Sequence, residues 1–430
     1  MDQRTSRFAA ADTLPASCAA AANPSPAAAA PFARARISGG LVVAVLFMGS
    51  TLLTPLYGLY RQAYGLSPLG GVLLYAVYVI GNLTALLFLG RLSDQLGRRP
   101  IVLAGLALAA VSTGLFLAAP SPAWLFAGRI LSGCAVGLGA GAATAWITEA
   151  TPAARRALAA SAMTSFNFAG LAIGPVLAGV LVQYAPHPLR LPFVAYLVLI
   201  AAVALAVLAA RETLRRDGPP MLSLRPRLGV PAEVRLPFVA PACTVFSAMA
   251  LVGFFAALGP TTIADDLHIA NRALAGLTVS ELLVTAALTI LATRTARPRP
   301  AMLTGLCLTP LGLALLVAGQ RLGSLPVFLA GTTVCGVAAA LGYRGGMEVT
   351  NRLAPPARRA EMVSAYFICG FLGNALPIIG CGALAQSLGA KTADAIFAGV
   401  VSAIALAALV VGLKYGRADV DHVAPRSVAD

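Results

Sequence analysis

Long apolar stretches recur along almost the whole chain, broken at near-regular intervals by short polar segments. A helix needs roughly 20 apolar residues to cross about 30 Å of hydrocarbon. Stretches of that order lie at 37–60, 69–89, 101–119, 124–147, 158–182, 191–210, 237–258, 274–292, 301–318, 325–341, 362–388 and 393–413. In lipid the backbone must satisfy its own hydrogen bonds, so each stretch predicts a membrane-spanning helix. Twelve spans result.

The cations test this count. With the N-terminus inside, 25 of the 31 Lys and Arg fall in cytoplasmic segments and five (Arg61, Arg190, Arg272, Arg321, Lys391) fall outside. Arg129 remains, within a helix. Such strict alternation is the positive-inside pattern and predicts cytoplasmic termini; one missed helix would scramble it. The longest inner segment, 211–236, is charged and Pro-rich. It divides the chain into six-helix halves at 37–210 and 237–413, flanked by a disordered cytoplasmic tail at 1–36 and a second tail at 414–430. Residues 150–179 align with 353–382 without a gap at 11 identities in 30, including Pro-x-Ala-Arg-Arg-Ala in both loops. Two parallel repeats of six helices place a substrate site between the halves near the membrane midplane.

Composition agrees. Of 430 residues, 59% are hydrophobic and 11% charged, against about a quarter charged in soluble domains. The net charge of +15 sits in loops, so it signals topology and not a nucleic-acid partner. Seven Cys and three His show no metal-ligand spacing, and neither a disulfide framework nor a cofactor is expected. No apolar run precedes a cleavage site near the start, so no secretory signal is expected.

The loop after the second stretch reads Gly90-Arg91-Leu92-Ser93-Asp94-Gln95-Leu96-Gly97-Arg98-Arg99-Pro100. Glycines permit a tight reversal, Pro100 suits a first helical turn, and one carboxylate stands among three arginines. This run resembles the loop 2–3 signature of the major facilitator superfamily, at nearly every position. The resemblance implies an all-α fold of 12 helices in two six-helix repeats. It also implies a conformational latch at Gly90, Arg91, Asp94, Gly97, Arg98 and Arg99, with Asp94 and Arg98 closing the inner side. The matching loop of the second half, 294–300, keeps cations but lacks the acid and the glycines.

Arg129 lies five residues past Trp124, roughly 8 Å into its span at about 1.5 Å per residue. A buried arginine in a membrane marks a pathway or faces a wet cavity, although snorkelling to the outer headgroups is the other use of a cation at this depth. It resembles the family's span 4 arginine, which implies proton coupling. The fifth stretch carries Gly170, Gly174, Pro175 and Gly179, a small-residue face with a kink. It resembles the family's antiporter motif, with Ala178 as a departure. Glu281 sits seven residues into the eighth stretch. Burial in hydrocarbon opposes a charged carboxylate, which suits proton uptake, cation binding, or a structural partner for a neighbouring polar group. Thr54, Trp146, Asn167, Phe254 and Tyr366 are candidates for a substrate cavity whose apolar, aromatic character suits lipophilic compounds.

The first span resembles that of drug:proton antiporters but lacks the embedded Asp of some members. The expectation is therefore a monomeric, multi-pass inner (plasma) membrane protein. It would export a small lipophilic or amphipathic compound in exchange for protons. The alternative is a facilitator or proton symporter for a sugar, organic acid or other metabolite, against which the scarcity of polar intramembrane residues counts. No clustered His, Asp or Ser within spans supports an intramembrane enzyme, and no phosphate-binding loop supports an ATP-driven pump.

Overall fold

A computed structural model describes residues 26–90, 92–152, 155–213 and 228–415. Twelve of its helices are long and apolar enough to cross a membrane. Spans 1 to 6 are Arg34–Tyr64, Pro68–Leu89, Arg98–Ala118, Pro122–Glu149, Ala162–Tyr184 and Leu191–Leu208. Spans 7 to 12 are Ala232–Ala257, Arg272–Ala292, Pro298–Leu322, Leu325–Leu353, Pro356–Leu388 and Ala390–Lys414. An even number of crossings returns both ends to one side, called here the terminal face; the other is the far face. Of the expected tails at 1–36 and 414–430, residues 1–25 and 416–430 lie outside the described residues, as do 214–227 of the central loop.

Helix ends follow local chemistry. Pro68, Pro122, Pro298 and Pro326 each occupy a first-turn position, where the missing N–H costs nothing. Ser67 caps span 2 by accepting from the Gly70 amide at 3.1 Å. Helix begins at Pro26, so 26–36, read from sequence as disordered tail, form the lead-in to span 1. The alanine run at 27–30 is the reason, since alanine loses least on entering a helix.

Span 1 is broken. Its α-helix ends at Leu52, a 3₁₀ turn covers Thr54–Leu56, and a short helix runs Tyr57–Tyr64. Pro55 has no amide to donate and its ring crowds the preceding turn, which breaks the helix there. The break re-aims the tyrosines that follow.

Packing relies on small residues. Side chains at Gly81 or Gly133 would strike the facing backbone, of Ile130 and Tyr78 respectively, so spans 2 and 4 lie unusually close. Spans 3 and 4 touch at Gly105 and Gly139; spans 9 and 10 touch at Gly305 and Gly342. The two halves thus share a glycine contact between corresponding spans. Between halves, span 5 crosses span 8 and span 2 crosses span 11.

Candidate functional site

At the terminal face, Arg98 opens span 3 and is the hub of the loop 2–3 signature. Its Nη1 donates to Ser93 Oγ at 2.8 Å and to the Asp94 carboxylate, and its Nη2 to Glu149 Oε1 of span 4 at 2.7 Å. Thr213 donates to the other Glu149 oxygen at 2.8 Å. The helix start has no side-chain cap of its own, because its cap residue is Gly97, which stands at φ 108°, a conformation open to glycine. Glu212, from beyond span 6, accepts instead from the Arg98 and Arg99 amides at 3.2 and 2.8 Å. An acid at a helix N-terminus also complements the helix dipole.

The structure therefore brings Asp94, Gly97, Arg98 and Arg99 together, and adds Glu149 and Glu212. Glu212 was invisible in sequence because it approaches from a distant loop. Gly90 closes span 2, whereas Arg91 lies outside the described residues. All these contacts stay within the first half and the start of the central loop. In the second half the roles invert: Arg344 of span 10 donates to the loop carbonyls of Arg294 and Ala296 at 3.1 and 2.9 Å.

Arg129 is fully buried in span 4. One hydrogen bond serves it, from Nη1 to the Ser50 carbonyl of span 1 at 3.1 Å. Its Nε and Nη2 have no partner. Around it stand the rings of Tyr57, Tyr75 and Tyr78, with centroids 5.8, 5.7 and 4.8 Å from Cζ. The break in span 1 supplies Tyr57; the close approach of spans 2 and 4 supplies the other two. Desolvated cation–π contacts are worth about 2 kcal/mol or more each, which offsets part of the several kcal/mol that a buried unpaired ion costs. No described carboxylate lies within ion-pair distance of Arg129. Tyr75 also donates to Asn374 Oδ1 of span 11 at 2.9 Å, so the cage abuts the seam between halves.

Span 5 is wedged between span 1 and span 8. Gly170 and Gly174 lie against the span 1 backbone at Ala44 and Met48; Gly179 lies against Arg272 and Ala273 of span 8. Pro175 lacks an amide and so leaves the Leu171 carbonyl without its helical donor. Thr51 Oγ1 of span 1 donates to that carbonyl at 2.9 Å. One residue on, the Ala172 carbonyl accepts from Ser280 Oγ of span 8 at 2.6 Å. The kink is thus answered from both sides, once within its half and once across the seam.

Glu281 follows Ser280 but points elsewhere. It shares the stripe of Leu277, Val284, Leu288 and Leu291, all outward-facing on span 8, and is half-buried. Thr333 of span 10 donates to its Oε1 at 2.7 Å. The structure does not bring it to Arg129. Of the cavity candidates, Thr54, Trp146, Phe254 and Tyr366 are buried in packing. Trp146 donates to the Arg211 carbonyl at 3.1 Å, Tyr366 to that of Tyr343 at 2.7 Å, and Phe254 stacks on Phe397 at 5.0 Å. Asn167 is half-buried. An open cavity of about 260 Å³ lies instead at the terminal face, lined by Arg36, Ile147, Thr151, Met163 and Phe166 among others.

Sequence reasoning also missed a buried acidic group near the far face. Gln320 Nε2 donates to Asp266 Oδ2 at 2.9 Å and to Asp394 Oδ2 at 2.5 Å. Both acids fall at the margins of apolar stretches, where they look solvated. Among the described residues, no group of His, Cys, Asp and Glu has a metal-binding arrangement.

The family model described as Major Facilitator Superfamily matches residues 39–239 and 242–428. The tetracycline resistance protein, class G, of Vibrio anguillarum is 34% identical over 182 residues, covering 41% of this chain and 45% of that one. The class C protein of Escherichia coli is 30% identical over 259 residues, covering 58% and 64%. The quinolone resistance protein NorA of Staphylococcus aureus is 27% identical over 149 residues, covering 35% and 38%. The matched segments thus span about half the length of these relatives or less, the class C protein excepted. Among solved structures, a bacterial homolog of the human lysosomal transporter Spinster, inward-facing and unoccupied, aligns with a TM-score of 0.69 at 15% identity, covering 89% of this chain and 98% of that one. The nucleoside transporter NupG aligns at 0.64 and 15%, covering 88% and 99%.

Proposed function

The chain belongs to the major facilitator superfamily, a multi-pass transporter of the inner membrane, and we propose that it exports a small lipophilic compound in exchange for protons. The terminal face is the cytoplasmic one in this reading, which the 25 to 5 division of cations supports. The observation that carries the exchange is the crossing of span 5 with span 8. There the Gly-Pro kink of an antiporter-type motif is held across the seam by Ser280, and the next residue is Glu281, the acid at mid-span. Proton uptake at Glu281 acts through span 8 on this tie, while the compound binds elsewhere, along the seam near Arg129. Coupling is then conformational, as two sites biasing one equilibrium require.

Export is supported by relatives whose names are drug-resistance names, at modest identity. The apolar interior favours lipophilic compounds over sugars or organic acids of high polarity. The test uses inverted membrane vesicles and a panel of neutral, cationic and anionic fluorescent lipophilic probes. An imposed acid interior should drive accumulation of at least one probe, and a protonophore should abolish it. Accumulation of every probe that is indifferent to the protonophore would sink proton exchange.

A further inference from the structure

The guanidinium of Arg129 is bonded on one side and bare on the other. Nη1 is engaged by the Ser50 carbonyl, while Nε and Nη2 are buried and unpartnered. Those two nitrogens form one edge of the planar group, with their N–H bonds running parallel. That edge is the one a carboxylate engages with both oxygens. The buried Tyr57 hydroxyl lies against the guanidinium, and no described acceptor takes its proton, so it is an unused donor. Three aromatic rings wall the group. Their faces favour the cation and offer flat apolar surface to a ligand body.

We propose that this cage binds the carboxylate of a lipophilic acid, so that the compounds exported are anions rather than cations. The inference rests on the export reading for its direction, but the site itself stands on the geometry of Arg129. An empty site leaves a positive charge buried without an acid; a bound carboxylate cancels it and takes up both idle donors. Span 1 carries no acid to attract a cation to this place. Tyr75 joins the cage to Asn374 across the seam, so parting of the halves at Tyr75 would open a way to the guanidinium. A cell interior at negative potential also drives an anion outward, in keeping with export.

The test is equilibrium binding to the purified full-length protein in lipid nanodiscs, without any gradient. The probes are naphthalene-2-carboxylate, its neutral carboxamide and naphthalen-2-ylmethylammonium. The carboxylate should bind saturably, at least about tenfold more tightly than either analogue, since each charge-assisted hydrogen bond supplies roughly that factor. Arg129→Lys keeps the charge but loses the fork, and should weaken the carboxylate by about tenfold or more, and the carboxamide by much less. Tyr57→Phe, a milder change for folding, should weaken the carboxylate alone, by a few-fold. Absence of carboxylate binding, equal or tighter binding of the ammonium, or an unchanged carboxylate affinity in Arg129→Lys would each overturn the proposal. Carboxylate binding without protonophore-sensitive transport would leave this site standing and remove proton exchange. Proton-driven transport of cations alone would do the reverse.

Discussion

Two arginines show how differently one side chain can be housed. Arg98 has two carboxylates and a serine for its donors at a half-open surface. Arg129, deep in the bundle, has one carbonyl and three aromatic rings. The first arrangement holds a loop in shape, and the second keeps a charge available. Glu281 is a third case, an acid at mid-depth whose one described partner is a hydroxyl. Without a cation its charged form is poorly served in a membrane. If it carries the proton, Glu281→Gln should leave probe movement down its own gradient intact and make accumulation insensitive to an imposed proton gradient. Vesicle transport with and without protonophore measures this; retained gradient-driven accumulation would remove Glu281 from the mechanism.

At the scale of the helix, proline marks where the bundle can give. Pro55 breaks span 1 and turns Tyr57 towards Arg129; Pro175 bends span 5 and frees a carbonyl that Thr51 answers. The Ser280 bond to Ala172 is the element-level tie that must break when spans 5 and 8 part. Interhelical hydrogen bonds in membranes average about 0.6 kcal/mol, which is about threefold in an equilibrium. Ser280→Ala should therefore favour the separated state by about threefold. Labelling of a cysteine placed at Ala273, which lies against Gly179 and is buried in this structure, should speed up correspondingly. Unchanged labelling would show that the tie carries no weight.

For the molecule as a whole, the ties between halves gather towards the far face. Tyr75 meets Asn374, Ser67 meets Gln386, the Arg272 amide meets Gln183, and Gly382 lies against Val72. Alternating access requires this seam to open and the terminal face to close. A Cβ at Gly382 would stand 3.1 Å from that of Val72, close enough for a disulfide after a small shift. The pair Val72→Cys and Gly382→Cys, once oxidised, should arrest transport, and reduction should restore it. Transport by the oxidised pair at the reduced rate would show that the seam does not open here.

The chain by itself determined the number of spans, the duplication and the shared side of its termini. Each follows from a local property: apolar length sets a crossing, loop charge sets a side, and repeated sequence builds repeated contacts. The sequence also marked Asp94, Arg98, Arg129 and Pro175, because a charge or a proline inside an apolar pattern stands out. What those residues touch was decided only by tertiary structure. Glu212 caps a helix more than a hundred residues away, Ser280 answers a carbonyl of another half, and Glu281 turns outward although its neighbour turns in. Aromatic residues that resemble a cavity lining are packed within the halves, since bulk alone does not say which face of a helix it occupies. The bare edge of Arg129 is the clearest instance. A sequence can show that a charge is buried, but only the arrangement of the helices around it shows that a carbonyl and three rings surround it and that no described carboxylate answers it.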